Sequence, residues 1–464
     1  MVSWDAEVGS ALIVAALFLV LVGCGEILRG LNACSQEATR KFVHLTGGIV
    51  SLCFAYVFKS HWTILALCIA FVTLMATTRK MGLLQSVHGV KRKSSGDILH
   101  PVAIYLTFAA TSYFEKPDFY LISVMVLSVS DALAAIIGVS YGFKVYSVEE
   151  ERKSLEGSVI FLLSTFLIVH LGLLLLTSVG RMECVLSALL IAVLVTCFEA
   201  ISLGGADNII IPFGTLFIIM KITTKPIPEI IGQLCSVGII FLTTYLFGNL
   251  SGRLGTSGII GVGLMGYAAW SLIGAEWYIP VFVCTVLISL VDLFLEMPGN
   301  QDELLRVRPI FYMFAVSACW IIGANLSLIN RLIDTSMFFV PYVVSFAAIL
   351  SIRWKWSQRE GNLASASRRR VVPRFIAEGN FFLRSSFLSL VFLPINHFLG
   401  LELLNPAFSA VTCLVGIVVS DAIYWGIGKR YHGQWSRIAF LRLGMLSVFL
   451  SSSLVFAANL WFYR

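Results

Sequence analysis

The stretch Ser158-Val-Ile-Phe-Leu-Leu-Ser-Thr-Phe-Leu-Ile-Val-His-Leu-Gly-Leu-Leu-Leu-Leu-Thr-Ser178 contains no Asp, Glu, Lys or Arg. At about 1.5 Å per residue it forms a helix about as long as the ~30 Å hydrocarbon core is thick, so it reads as a membrane span. Similar stretches lie at 8–28, 42–58, 61–77, 101–114, 119–139, 183–203, 208–223 and 229–249. A further group lies at 256–274, 277–295, 309–327, 336–352, 385–401, 404–427 and 438–462. The expectation is an all-α, polytopic membrane bundle of about 16 transmembrane helices.

Composition agrees with the spans. Of 464 residues, 58% are apolar and 13% charged, against about 25% charged in ordinary soluble domains. A soluble enzyme of this length would present large apolar areas to water, so that class is excluded. The net charge of +7 raises nucleic acid as a partner. However, the basic residues are scattered through the loops between spans, and a nucleic-acid partner is not expected. With residues 1–7 outside, 24 Lys and Arg fall in inside loops and 7 in outside loops, the bias of the positive-inside rule. The ten cysteines lie mostly in apolar spans without a C-x-x-C pair and read as small core residues. Asp5 and Glu7 precede the first apolar run with no basic leader. That run is expected to be a retained helix, and a bacterial inner membrane is expected over an organelle.

A boundary near Asn249-Leu-Ser-Gly-Arg253 divides 1–250, which holds the chemically equipped loops, from 251–464, a second membrane domain of unassigned role. Segment 353–380, with Arg368-Arg-Arg370, reads as a cytoplasmic connector held near anionic headgroups. One echo links the halves. Val129-Ser-Asp-Ala-Leu133 with Gly138 and Tyr141 returns as Val419-Ser-Asp-Ala-Ile423 with Gly428 and Tyr431 at identical spacing, by descent or by chance likeness of apolar helices. Gly261-Val-Gly-Leu-Met-Gly266 matches the dinucleotide pattern, but it lies inside a span with no preceding strand and reads as helix packing. No Walker loop is present: Arg430 follows Gly428-Lys429 where Ser or Thr is required.

Ionisable residues at span ends are expensive and call for a function or a partner. In the first half they form five clusters: Arg40-Lys-Phe-Val-His44; Arg92-Lys-Ser-Ser-Gly-Asp97 leading to His100-Pro101; Ser130-Asp131; Lys153-Ser-Leu-Glu156-Gly-Ser158; and Glu199 with Asp207-Asn208. The expected topology turns all five to the cytoplasm, where carboxylates, cations and small-residue turns suit a bound nucleotide. Asp131, Glu156, Glu199 and Asp207 are oxygen ligands of the kind Mg²⁺ takes beside substrate phosphates. Lys153, Arg40 and Lys41 suit phosphate oxygens, and Gly157 and Ser158 open a helix whose N–H groups favour an anion. Plainer readings stand beside these: Arg40 and Lys41 as topology anchors, His44 as a packing residue, Asp131 and Asp207 as structural, and Glu149-Glu-Glu151 as a solvated loop face.

Arg40-Lys-x-x-His44, Gly96-x-x-x-His100-Pro101, Ser130-Asp131-Ala-Leu-Ala134 with Gly138 and Gly142, Lys153-Ser154-x-Glu156-Gly157-Ser158, and Glu199 followed by Asp207-Asn208-x-x-x-Pro212 resemble the CTP-dependent lipid kinases. These are the phytol, farnesol and dolichol kinases and the yeast-type diacylglycerol kinase, which share ancestry with phosphatidate cytidylyltransferases. The resemblance covers about residues 38–225, with the motifs in the family's order. It implies a polytopic phosphotransferase moving the γ-phosphoryl group of CTP onto a membrane lipid alcohol at the cytoplasmic face, with a divalent cation such as Mg²⁺. The site it implies has Asp131 and Asp207 as metal ligands and Lys153 and Arg40 on phosphate. Lys41, Ser154, Glu156, Gly157, Ser158 and Asn208 support nucleotide or metal, and His44 or Glu199 accepts the hydroxyl proton. The loop Lys144–Glu151 is more acidic than the pattern, and 251–464 has no match to it. The second half is then a degenerate copy, a partner enzyme of the same lipid pathway, or a lipid-transport module. Two rival readings remain: CDP-lipid synthesis, and a transporter or flippase supported by Asp292 and Glu296 on one helix face. The sequence leaves the oligomeric state open.

Overall fold

In a computed structural model, the protein is described over residues 4–31, 36–88, 95–250, 254–294, 306–364, 406–430 and 437–462. Among these residues, nine helices are long and apolar enough to cross a membrane: Glu7–Gly30, His61–Lys80, Pro117–Tyr141, Leu155–Leu176, Arg181–Ile201, Ile227–Gly248, Val307–Asn330, Ala407–Tyr424 and Leu441–Phe462. Ala275–Leu290 and Ser336–Ile352 are shorter apolar helices. The expected membrane helix bundle is present, while a count of about 16 spans is not established. The expected span 42–58 is divided between two helices ending at Ser51 and Val57, and 385–401 lies outside the described residues. The chain forms two units, Met1–Leu234 and Cys235–Arg464, divided within a helix.

The first unit opens with α1 (Trp4–Gly30), α2 (Gln36–Ser51), the single turn α3 (Phe54–Val57), α4 (His61–Lys80), α5 (Gln85–His88) and α6 (Gly96–Tyr113). Two carboxylates tie α1 at its ends. Glu7 Oε1 accepts the backbone N–H of Lys59 at 3.0 Å, and Glu26 Oε1 accepts that of Ser86 at 2.7 Å. Next come α7 (Pro117–Met125), a π-helical turn at Val126–Ser130, and α8 (Asp131–Tyr141). Then α9 (Leu155–Leu176), α10 (Arg181–Ile201) and α11 (Asp207–Ile222) follow, and α12 (Ile227–Gly248) carries the chain into the second unit.

The stretch that opened the sequence analysis becomes α9, and its two faces are distinct. Phe161, Thr165, Val169 and Leu173 are buried, while Leu163, Leu167, Leu171 and Leu175 are exposed. A stripe of bare leucine at helical spacing is intolerable in water and ordinary against lipid. The all-α expectation has one exception in the described residues. β1 (Val145–Val148) and β2 (Glu151–Ser154) form an antiparallel hairpin with Tyr146 opposite Lys153 and Val148 opposite Glu151. Its two-residue turn sets Glu149 at φ 54°, the left-handed conformation that tight hairpin turns demand.

The second unit contains α13 (Thr256–Leu272), a short 3₁₀ turn at Ala275–Trp277, α14 (Tyr278–Phe294), α15 (Val307–Asn330), α16 (Ser336–Ala364), α17 (Pro406–Arg430) and α18 (Arg437–Phe462). Its centre is aromatic: Trp277, Phe339, Tyr342 and Phe346 are buried, and the Tyr342 hydroxyl donates to the Trp277 carbonyl at 2.7 Å. The glycines of Gly261–Gly266 lie in α13, where a Cβ on Gly263 would meet the Phe241 ring at 2.9 Å and one on Gly266 would meet the Tyr278 ring at the same distance. They allow close approach of neighbouring side chains.

Candidate active site

Helix α2 carries Arg40, Lys41 and His44 on successive turns, and its approach to α7–α8 decides what they touch. Gly48 permits that approach, since a Cβ there would coincide with the Ser128 hydroxyl. The contact falls on the π-helical turn Val126–Ser130, immediately before Asp131. Such turns insert a residue into a helix, rotate the side chains that follow, and recur at functional sites. Lys41 Nζ lies 2.5 Å from Asp131 Oδ2, with the two side chains 6% and 10% exposed. His44 Nε2 lies 3.6 Å from the same oxygen, beyond hydrogen-bond reach. The His44 ring meets that of His100 from α6 at a centroid distance of 4.1 Å.

The start of α11 joins this cluster to a second one. Its approach loop turns at Gly204 and Gly205, with φ of 62° and 89°, a conformation glycine adopts without steric cost. The Gly204 carbonyl accepts the Ser95 N–H at 2.9 Å and its own N–H donates to Glu151 Oε1 at 3.0 Å, tying α6, the hairpin and α11 together. Asn208 faces His100, while its amide donates to the Gly205 carbonyl at 3.0 Å and to Asp207 Oδ1 at 3.2 Å. On the other side Lys153 Nζ donates to Glu199 Oε1 at 2.8 Å and to the Glu199 carbonyl. Burial opposes the charge of Lys153, but Glu199 and Asp207 outweigh it and hold the ammonium above the ordinary lysine range. Opposite Lys153 on the hairpin, the Tyr146 hydroxyl meets Ser158 Oγ at 2.9 Å, and burial pushes that phenol up.

Thus Arg40, Lys41, His44, Asp131, Lys153, Glu199, Asp207 and Asn208 belong to one neighbourhood. Arg40 lines the same cavity as His44 and His100. Ser154, Glu156 and Gly157 also make local contacts. Ser154 Oγ caps α9 by accepting the Gly157 N–H at 3.1 Å, and the half-buried Glu156 accepts the Lys144 N–H at 3.2 Å. Gly157 lets α9 cross α8, since a Cβ there would stand 3.0 Å from the Ala134 carbonyl. Arg92 and Lys93 lie outside the described residues.

His100, to which its motif gives no role, stands against His44. Glu151, expected on a solvated loop face, instead accepts the Gly204 N–H, and Tyr146 has no motif of its own. The alternation Val145-Tyr-Ser-Val148 beside an acidic turn was the available signal for the hairpin. The ion pair Arg79–Asp97, at 3.5 Å between α4 and α6, had no local signal.

His44 Nε2, His100 Nδ1 and Asn208 Oδ1 are buried without a hydrogen-bond partner among the described residues. Buried polar atoms are nearly always paired in native proteins, and the adjacent rings of His44 and His100 therefore offer nitrogens to a polar ligand. Among the described residues no group of three or more His, Cys, Asp and Glu stands ready to hold a metal alone. A cation held here would have to share its coordination with phosphate, as Mg²⁺ does when it takes one or two carboxylates and substrate phosphates. A cavity of about 130 Å³ among α1–α6 reaches the cluster at Arg40, His44 and His100.

Asp421 of the echoed motif is fully buried in α17 and accepts the Ser351 hydroxyl at 2.8 Å, where Asp131 meets an ammonium. The side chains of Asp292 and Glu296 lie outside the described residues.

No protein-family model matches the chain, and no solved structure matches it. It is 28% identical over 205 residues to a phytol kinase of Synechocystis sp. (strain ATCC 27184 / PCC 6803 / Kazusa), a match covering 44% of this chain and 88% of that protein. That relationship, together with the apolar helices, supports a membrane-bound lipid kinase.

Proposed function

We propose that this protein transfers the γ-phosphoryl group of CTP to the hydroxyl of a membrane-embedded, isoprenoid-like alcohol at the cytoplasmic face. The observation that carries the proposal is the orphaned His44 Nε2, set between the Asp131–Lys41 pair and an apolar cavity. Phosphoryl transfer asks chiefly for positioning and charge neutralisation. Arg40 and Lys153 are the cations for the triphosphate, with Lys153 kept charged by Glu199 and Asp207. Asp131 and Asp207 would hold a divalent cation, which supplies charge neutralisation on the phosphate oxygens when bound. Lys41 orients Asp131, and Asn208 donates to Asp207.

The acceptor oxygen forms a bond to the γ-phosphorus as the bond to the β-phosphate oxygen breaks and CDP leaves. The hydroxyl proton goes to His44 Nε2, which lies 3.6 Å from Asp131 Oδ2. Of the two candidate bases, His44 is favoured because the Glu199 carboxylate is engaged by Lys153. The 24-to-7 distribution of basic residues supports a cytoplasmic site.

The test uses purified protein, Mg²⁺ and CTP labelled at either the α- or the γ-phosphate. Lipid labelled only from the γ-position supports the proposal. Lipid labelled only from the α-position identifies CDP-lipid synthesis, and transfer of neither label across a panel of alcohols refutes both.

A further inference from the structure

The cavity that meets His44 continues far beyond any nucleotide. Along α4 it is lined by Ile64, Leu67, Cys68, Phe71, Met75 and Arg79, one face of the helix over nearly its whole length. Fifteen residues separate Ile64 from Arg79, which at about 1.5 Å each is a path of about 22 Å. Half the hydrocarbon core of a bilayer is only about 15 Å, so the path runs from the polar end past the membrane midplane.

Its two ends differ in chemistry. Arg40, His44, His100 and the Arg79–Asp97 pair stand at one end, and the remaining walls are almost entirely apolar. Phe18 of α1 reaches across the middle. Its ring packs edge-on to Phe71 at 4.9 Å and to Phe54 at 6.4 Å, and a Cβ on Gly47 would meet it at 3.3 Å. A side chain at Gly47 would press on the Phe18 ring, which would have to give by a few tenths of an ångström.

We infer that this cavity holds the single hydrocarbon chain of the acceptor alcohol, with the hydroxyl at His44 and His100, and that Phe18 sets the length of chain accepted. The inference rests on the lipid-kinase reading of the site. An amphiphile with one polar terminus matches the distribution of polar groups, and a one-chain occupant matches a cavity that the Phe18 ring crosses between α1, α2 and α4. Short chains end before the Phe18 ring. Longer ones pass it only by turning the ring aside, at a cost recovered from apolar burial beyond it near Phe54 and Ile64.

The experiment pairs binding with turnover in the full-length protein. Prenyl alcohols carrying a terminal diazirine are photolysed on the protein in nanodiscs, and the labelled peptides are mapped by mass spectrometry. A phosphatidylcholine with an acyl-chain diazirine serves as the parallel arm. Expected is alcohol label on α1, α3 and α4 around Phe18, Phe54 and Phe71, competed by unlabelled alcohol and weak with the phospholipid. Label confined to other helices, or equal labelling by phospholipid, overturns the chain site. For turnover, Phe18→Ala is expected to shift the kcat/KM ratio of phytol over geraniol upward about tenfold, and Phe18→Trp to shift it down. An unchanged ratio in both variants overturns the role of Phe18. Because crosslinking needs no nucleotide, label at Phe18 in a protein that transfers no phosphate sinks the kinase reading and keeps the chain site. Transfer with label elsewhere does the reverse.

Discussion

Lys41→Met probes the charge pair at the heart of the site. Lys41 Nζ is 2.5 Å from Asp131 Oδ2, and both side chains are nearly sequestered at 6% and 10% exposure. Removing one member of such a pair strands the other charge, at about 3–5 kcal/mol. The expected loss for Lys41→Met is about 3 kcal/mol, at the lower end of that range. Asp131→Asn leaves the Lys41 ammonium facing a neutral amide and should cost a similar amount. The double variant removes both charges, and replacing a buried pair by groups of similar volume is often close to neutral. Its loss should therefore fall short of the ~6 kcal/mol sum of the singles by at least about 3 kcal/mol, the top of the ordinary range for contacting residues. The assay is reversible unfolding of the purified protein in mixed micelles of mild detergent and dodecyl sulfate, with phosphoryl transfer measured on the same samples. Losses that add to within about 0.5 kcal/mol would refute the buried pair. Wild-type transfer by the double variant would remove Asp131 from the catalytic site.

Gly48→Ala places a methyl group on the Ser128 hydroxyl. It should destabilise the first unit by about 1–3 kcal/mol and lower kcat more than a surface control such as Gly9→Ala, where the space is open. Wild-type kcat and stability would show that α2 does not need this approach. Lys153 has its pKa raised in the folded protein, so the stability it contributes is complete below the unfolded value of about 10.4 and is lost as pH rises through the folded value. Between pH 6 and 9, Lys153→Arg should therefore change the level of activity and leave the shape of the pH–rate profile unaltered, and a new or shifted alkaline limb in that profile would contradict the charge assignment. Ser351→Ala withdraws a donor from the buried Asp421 and should cost about 1–3 kcal/mol on unfolding with no change in KM for CTP. A raised KM would bring the second unit into nucleotide binding.

The membrane bundle was legible because it depends on one-dimensional quantities, namely apolar run length and the positions of charges. The candidate site was legible for a related reason. Charges at span ends are costly enough that Arg40, Lys41, Asp131, Lys153, Glu199 and Asp207 stand out without any knowledge of their neighbours. The hairpin at 145–154 did not stand out, because four-residue strands carry too few alternations to compete with long helices. Glu151 seemed solvated because its partner, the Gly204 N–H, lies 53 residues away. The same holds for Arg79 and Asp97, 18 residues apart on different helices.

Length, composition and charge placement therefore sufficed for a polytopic helical membrane protein and for the residues worth suspecting in its first half, since hydrophobicity and charge belong to residues one at a time. What those residues touch was decided only by the packed helices. Lys41 could serve phosphate or Asp131, Glu199 could be a base or the partner of Lys153, and Ser154 and Gly157 could cradle an anion or join two helices. Each choice turns on distances of a few ångströms between segments far apart in the chain. Those distances follow from where a glycine such as Gly48 admits a neighbouring helix and where a π-helical turn rotates Asp131. No local pattern of residues encodes either one.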